Sequence, residues 1–166
     1  ASQYKDYILG FIFYKFLSET EAAFLQKNDF PNEELPTLIE SNADLVDWVK
    51  GECGYFIGYE NLFSTWLAMG KDFGIDNVHQ ALSAFDRNIS PAHKKLFDGI
   101  FDTLQTGLSK LGSDARGQSK AARDLIYLIK DIPMDGRQGY DVLGFIYEYL
   151  IGQFASNAGK KAGEFY

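Results

Sequence analysis

The sequence predicts an all-α fold, a helical bundle of about six or seven helices with little or no strand. Apolar residues recur at helical spacing along most of the chain, and clusters of turn-forming residues separate these stretches. Only residues 55–57, which lie between two glycines, have the pattern of an extended segment. A chain of 166 residues, 46% of them hydrophobic, can form one domain with its own core.

In the first half of the chain, the pattern predicts a long amphipathic helix over residues 4–24. Turn formers occupy residues 28–36, and one or two short helical pieces follow and end near Gly51. Two further helices are predicted over residues 60–69 and 75–88, separated by Gly70 and Gly74.

In the second half, Ser90 followed by Pro91 is a helix-start signal for a segment that extends to Leu108. Residues 112–117 form a break, and the next helix, over residues 119–132, is stopped by Pro133. The last helix is predicted over residues 141–155. Glycine and asparagine beyond it favour a mobile connector over residues 156–166, with Phe165 and Tyr166 largely exposed or held by a neighbouring molecule. The predicted domain is therefore residues 1–155.

The charge is unevenly distributed. The chain carries 16 Lys and Arg against 23 Asp and Glu, and a net charge of -7 disfavours a general nucleic-acid coat. Residues 1–90 hold 6 basic and 14 acidic side chains, whereas residues 91–166 hold 10 and 9. The C-terminal half is therefore the better candidate for contact with phosphate.

The sequence shows no catalytic or metal-binding set. Cys53 is the only cysteine, which excludes an internal disulfide and favours a cytoplasmic protein. His79 and His93 lack the spacing of metal ligands, so no metal site is predicted. Residues 112–119 have the glycine spacing of a phosphate-binding loop, but Gln118 occupies the position of the required lysine. No signal peptide or membrane span is predicted, because the apolar run at residues 7–14 is too short.

One helix face carries a candidate binding surface. On the helix predicted over residues 119–132, the apolar side is formed by Ala121, Leu125, Leu128 and Ile132, flanked by Ala122 and Ile129. The opposite side and the residue just upstream form what we call the basic stripe: Arg116, Lys120, Arg123, Tyr127 and Lys130. The stripe could contact phosphate or an acidic partner, or it could be a solvated face, because Asp124 and Asp131 lie beside it.

Two stretches resemble the modification subunit of type I restriction-modification systems, an adenine-specific DNA methyltransferase. Residues 4–18 (YKDYILGFIFYKFLS) resemble the opening helix of that family. Residues 144–155 (GFIYEYLIGQFA), followed by residues 159–166 (GKKAGEFY), resemble the run that joins its helical N-terminal domain to its catalytic domain.

The resemblance implies a helical N-terminal domain that packs with a second modification subunit and a DNA-specificity subunit and helps to close the complex around double-stranded DNA. A restriction subunit completes the set of partners. The final Gly163, Glu164, Phe165 and Tyr166 correspond to a partial motif that opens the family's binding region for S-adenosylmethionine. Lys160 and Lys161, just before it, join the candidate contacts to DNA or a partner.

The family's glycine-rich cofactor loop and its Asn-Pro-Pro-Phe catalytic motif do not occur in residues 1–166. We therefore expect a piece of a longer methyltransferase that acts in assembly and DNA clamping, has no catalytic residue and binds no cofactor alone. The alternatives are an independent helical protein-interaction module and, with less support, an enzyme that uses an aromatic-lined pocket.

Overall fold

The computed structural model describes the backbone of residues 2–134 and 141–162, and the side chains of residues 4–134 and 141–152. Within these ranges the all-α prediction is confirmed, and the only β pairing is an isolated bridge between Tyr55 and Ile89. The α-helices described are α1 (Ser2–Lys27), α2 (Ala43–Cys53), α3 (Phe63–Met69), α4 (Ile75–Arg87), α5 (Lys94–Phe97), α6 (Asp102–Gly107), α7 (Ala115–Ile129) and α8 (Val142–Ala162). Short 3-10 turns span Asn32–Thr37, Tyr59–Asn61, Gly70–Asp72, Pro91–His93 and Leu108–Lys110.

The chain divides into two compact units. The continuous unit is Tyr14–Asp98, and the discontinuous unit combines Ala1–Phe13 with Gly99–Tyr166. Helix α1 therefore contributes its first half to the discontinuous unit and its second half to the continuous unit.

In the continuous unit, buried side chains of α1 bind the backbone of the irregular segment at residues 55–63. The Tyr14 hydroxyl donates to the carbonyl of Asn61 at 2.8 Å, and its ring stacks on Trp66 at 4.8 Å between centroids. The Ser18 hydroxyl accepts a hydrogen bond from the Phe63 N–H at 2.8 Å. In the other direction, the Tyr55 hydroxyl donates to the Leu17 carbonyl at 2.7 Å. The bonds made by Tyr14 and Ser18 satisfy a carbonyl at the end of one short helical segment and an N–H at the start of the next, which have no partner within their own helix.

In the discontinuous unit, the first half of α1 packs closely against α6. A Cβ atom at Gly10 would lie 3.1 Å from the Leu104 side chain, so the absence of a side chain permits this approach. The Tyr7 hydroxyl donates to the carbonyl of Gly107 at 2.7 Å. The buried apolar residues that α6, α7 and α8 supply are Leu104, Ala122, Leu125, Ile126, Ile129, Ile146 and Leu150.

The prediction of one helix from Ser90 to Leu108 is wrong. The segment divides into α5 and α6, because Asp98 is extended and Gly99 adopts a φ of +76°, which a helix does not allow. The Ser90 hydroxyl makes no capping bond to the backbone and instead lies 3.2 Å from His93 Nδ1.

Two predicted helix boundaries are also wrong. Helix α7 begins at Ala115, before the predicted start at residue 119, because Asp114 caps its first turn. Helix α8 continues to Ala162, although the glycines and asparagine after Ala155 predicted a connector there. The division into a domain and a connector remains a prediction, and Phe165 and Tyr166 lie outside the described residues.

Glu21 is a buried carboxyl in the continuous unit. Its Oε1 accepts a hydrogen bond from the Ile57 N–H at 2.7 Å, whereas Oε2 has no hydrogen-bond partner among the described residues. Burial raises the pKa of Glu21 to about 8, against the lowering effect of the Ile57 bond. The pKa of the nearby Cys53 thiol is raised to about 12, and burial also raises the pKa of Tyr14 and Tyr55. Among these groups, Glu21 alone titrates near neutral pH.

We predict that the stability of the protein decreases as the pH rises from about 5 to about 8. In this window the folded state holds a proton on Glu21 that the unfolded state has released, so the contribution present at low pH is lost. The raised pKa corresponds to a loss on the order of 4 kcal/mol. Urea unfolding at a series of pH values measures this loss in the free energy of unfolding. Glu21→Gln should abolish this component and the exposed Glu33→Gln should retain it; equal pH slopes for all three proteins would contradict the prediction.

Candidate functional site

Helix α7 is held in place by a tight turn at its start. The Asp114 carboxylate accepts a hydrogen bond from the Gly117 N–H at 2.8 Å. The Gln118 side chain donates to the carbonyls of Ser109 and Gly112, at 3.1 and 3.2 Å. A Cβ atom at Gly112 would lie 2.7 Å from backbone atoms of residues 117 and 118, so this turn requires glycine. Gln118, at the position where a phosphate-binding loop requires lysine, therefore closes the turn.

The structure places most of the basic stripe in solvent. Arg116, Lys120, Tyr127 and Lys130 are exposed, and Arg123 is half-buried. The buried face of α7 is formed by Ala122, Leu125, Ile126 and Ile129. The prediction that Leu128 belongs to the apolar side is wrong, because its side chain is 63% exposed and Ile126 packs in the core instead.

Two cations of the basic stripe pair with neighbouring carboxylates. Lys120 Nζ lies 2.9 Å from Asp124 Oδ2, and Lys130 Nζ lies 2.9 Å from Asp131 Oδ2. Both pairs are exposed, so each contributes little to stability and can exchange for another anion. Arg116 makes no ion pair within the described part of the chain. Lys120 and Lys130 can therefore bind a phosphate only in competition with these carboxylates.

The two units differ in charge. The continuous unit holds 7 Lys and Arg against 14 Asp and Glu, which accounts for the whole net charge of the chain. The discontinuous unit, to which α7 belongs, holds 9 of each sign. A polyanion such as DNA would therefore repel the continuous unit at long range, whereas the unit that carries the basic stripe has no net charge.

The two stretches that carry the family resemblance contact each other within the discontinuous unit. The Tyr149 hydroxyl of α8 donates to Asp6 Oδ1 of α1 at 2.6 Å, and Lys5 Nζ lies 4.7 Å from the centre of the Tyr149 ring. The bond to the Asp6 carboxylate raises the pKa of Tyr149 to about 12. Two turns further along α1, the ring of Phe13 lies 5.8 Å from that of Tyr147.

Sequence reasoning identified both stretches but missed this contact. Asp6 and Tyr149 are 143 positions apart, and a carboxylate near the start of a predicted helix has an ordinary local explanation in the helix dipole. No periodicity or motif connects the two residues. Only the tertiary structure brings them together.

The C-terminal candidates are described only in part. The backbone of Lys160 and Lys161 belongs to α8, and the side chains of these two residues lie outside the described residues. Gly163, Glu164, Phe165 and Tyr166 lie entirely outside the described residues. The assignment of these six residues as cofactor-binding or contact residues stays a prediction. At the other end of α8, the Asp141 carboxylate accepts a hydrogen bond from the Gly144 N–H at 2.8 Å.

The described residues hold no cluster of three or more His, Cys, Asp or Glu side chains that could bind a metal. The raised pKa of Cys53 keeps its thiol protonated at neutral pH, so it is a poor nucleophile. No helix in the described ranges combines the length and apolar character needed to cross a bilayer.

Comparisons with known proteins agree with the resemblance. The model of the HsdM N-terminal domain family matches residues 1–131, and that of the N-6 DNA methylase family matches residues 138–166. The chain is 27% identical to the methylase subunit of the type I restriction enzyme MpnII from Mycoplasma pneumoniae, over 98% of its own length. A crystal structure of a type I restriction-modification methyltransferase subunit from Streptococcus thermophilus superposes with a TM-score of 0.68 at 25% identity, over 95% of the chain.

The chain spans about one third of the length of these relatives, 33% of the Mycoplasma protein and 35% of the Streptococcus protein. The boundary between the two family matches falls between α7 and α8. The contact between Asp6 and Tyr149 therefore joins residues that are matched by different families.

We predict that this hydrogen bond couples the N-terminal half of α1 to α8. Asp6→Asn and Tyr149→Phe should each lower the free energy of unfolding, and the double variant should lose less than the sum, with a coupling energy of about 1–2 kcal/mol. Urea unfolding of the four proteins measures this energy. Tyr4→Phe, which removes a hydroxyl from an exposed tyrosine of the same helix, is the control and should have no effect. Additive losses would contradict the prediction.

Proposed function

Because the chain belongs to the HsdM N-terminal domain family, we propose that it acts in the assembly and DNA clamping of a type I restriction-modification methylase subunit. The observation that carries this proposal is the order of the two family matches, an HsdM N-terminal domain over residues 1–131 and the start of an N-6 DNA methylase match at residue 138. The alternative of an unrelated interaction module would leave this order unexplained.

We assign DNA contact to the basic stripe. Arg116, Lys120 and Lys130 extend from one exposed face of a helix whose start is fixed by the turn at Gly112 and whose opposite face is buried. Cations on a rigid helix can follow a phosphate backbone, and such contacts set position without reading the base sequence. Lys160 and Lys161 are further candidates for the same role.

We assign protein contacts to the continuous unit. Its excess of carboxylates would be repelled by DNA, whereas a protein surface with basic residues would be attracted. The partners that fit the proposal are a second modification subunit, the DNA-specificity subunit and the restriction subunit, which would form a cytoplasmic complex around double-stranded DNA.

The activity proposed for the whole subunit is transfer of a methyl group from S-adenosylmethionine to the amino group of a flipped adenine. This chain would supply Gly163, Glu164, Phe165 and Tyr166 to the edge of the cofactor site. Four residues cannot enclose a cofactor that needs a formed concave site. No step of methyl transfer is therefore assigned to residues of this chain, and its part is to position the methylase domain and hold DNA.

The 166-residue chain alone is expected neither to bind S-adenosylmethionine nor to methylate DNA. The physical reason is the missing cofactor loop and catalytic motif. Titration calorimetry with the cofactor and a methylation assay with adenine-containing duplex DNA test this expectation. Binding with a micromolar dissociation constant would show that the cofactor site lies within these residues.

In the assembled enzyme, the triple variant Arg116→Gln, Lys120→Gln and Lys130→Gln should weaken binding to DNA of any sequence. The slope of log affinity against log salt should decrease by roughly one for each phosphate that the variant no longer neutralises. Arg123 is left unchanged because it is half-buried. Fluorescence anisotropy with specific and non-specific duplexes over a series of salt concentrations provides the measurement.

The matched control replaces three exposed lysines of the continuous unit, Lys71, Lys94 and Lys95, by Gln. It changes the net charge equally and should leave the salt slope unaltered. An unchanged slope in the stripe variant, in a complex that assembles normally, would identify the stripe as a solvated face. Failure of assembly in that variant alone would identify it as a protein interface.

A further inference from the structure

Helix α2 presents an aromatic side chain at the surface of the continuous unit. Its buried side is formed by Val46 and Val49, whereas the side chain of Trp48 is 37% exposed. The Trp48 ring packs on the half-buried ring of Phe24 in α1, with 4.9 Å between the two centroids. Tryptophan is among the residues that contribute most to binding at protein interfaces, because its large, rigid ring buries much surface at a small cost in conformational entropy. Trp48 is therefore a candidate anchor for a partner.

Charged side chains surround the exposed part of Trp48. Asp44 and Glu52 lie one turn before and one turn after it along α2, and Asp47 precedes it directly. All three carboxylates are exposed, and none of them forms an ion pair with a residue that the structure describes. An aromatic centre with a polar rim is the arrangement found in protein–protein interfaces.

The charge of this part of the chain selects the kind of partner. Residues 29–52 contain seven Asp and Glu, half of those in the continuous unit, and only one Lys or Arg, Lys50. This excess of carboxylates repels DNA and anionic lipids and attracts a basic protein surface. The guanidinium group of arginine fits best, because it can stack on an indole ring while its N–H groups pair with a carboxylate.

Gly51 leaves room for such a partner on the same side of α2. It lies one turn after Asp47, and a Cβ atom at this position would meet nothing within 4 Å. A second copy of this chain is a poor complement, because its discontinuous unit holds equal numbers of both charges. Lys120 and Lys130, moreover, already pair with carboxylates of their own unit. A different polypeptide with a surplus of cations matches the surface better.

We propose that the α2 docking face, which we define as Asp44, Asp47, Trp48, Gly51 and Glu52, binds an arginine-bearing surface of a different protein subunit. One guanidinium group stacks on Trp48, and the carboxylates on either side pair with it and with neighbouring cations. This proposal rests on the proposed function. It names the surface and the partner chemistry for the protein contacts that were assigned to the continuous unit as a whole.

The first test reverses charge on the complete methylase subunit and measures its association with the other subunits by mass photometry over a dilution series. The double variant Asp44→Lys and Asp47→Lys should raise the dissociation constant by about tenfold or more. Glu60→Lys with Asp72→Lys is the matched control, because both carboxylates are exposed in the same unit and the change in charge is equal. The control should change the constant by about twofold or less. Equal losses in the two variants would overturn the proposal.

Hydroxyl-radical footprinting of the unaltered protein provides a second test that does not depend on the folding of a variant. Oxidation of Trp48 should be slower in the assembled enzyme than in the isolated subunit, whereas oxidation of Tyr59, which is 36% exposed, should not change. Protection of Trp48 already in the isolated subunit would overturn the proposal, because the same polypeptide or a second copy would then cover the face.

Protection without loss of affinity in the lysine variant would also overturn it, because an apolar partner would then cover the face. An enzyme that assembles and binds DNA while Trp48 stays accessible would overturn this proposal and leave the proposed function intact. A subunit that associates with no other subunit would overturn both.

Discussion

The satisfaction of buried polar groups on α1 is the constraint on which the rest of the structure depends. Residues 55–63 form neither a long helix nor a sheet, so their backbone groups need partners elsewhere. Tyr14, Ser18 and Glu21 provide these partners at successive turns of α1. Tyr7 does the same for the end of α6 in the other unit. A helix with polar atoms on its buried face can pack only where each of these atoms finds a hydrogen-bond partner. This requirement fixes the position of α1 against residues 55–63.

The fold class and the helices α1 and α4 can be predicted from the sequence, because their apolar residues repeat over several turns. The break after Asp98 cannot be predicted, since a glycine at positive φ is indistinguishable in sequence from a tolerated helical glycine. The exposed cations of α7 and the neighbouring carboxylates follow from the sequence pattern. Leu128 is placed on the wrong face by that pattern, because the apolar residues of the helix extend beyond one side. The bonds of Glu21 and Tyr149 depend on residues distant in sequence, and no local pattern indicates them.

The boundary between the two family matches does not coincide with the boundary between compact units. Helix α8 belongs to the methylase match, yet its buried side chains and the Tyr149 hydroxyl lie in the unit that begins with α1. A covalent connection alone would leave two domains free to rotate about a linker. A helix packed by one side into its neighbour instead transmits orientation, because a helix is stiff over a few turns.

The two segments of the discontinuous unit, Ala1–Phe13 and Gly99–Tyr166, are synthesised at different times. The continuous unit consists of consecutive residues and can fold once Asp98 has left the ribosome. The first half of α1 is made earlier, but its partners in α6 and α8 emerge only later in synthesis. Apolar side chains of this half, Phe11 and Phe13 among them, therefore lack their packing partners while the continuous unit has already formed. Apolar side chains that are exposed during this interval favour aggregation.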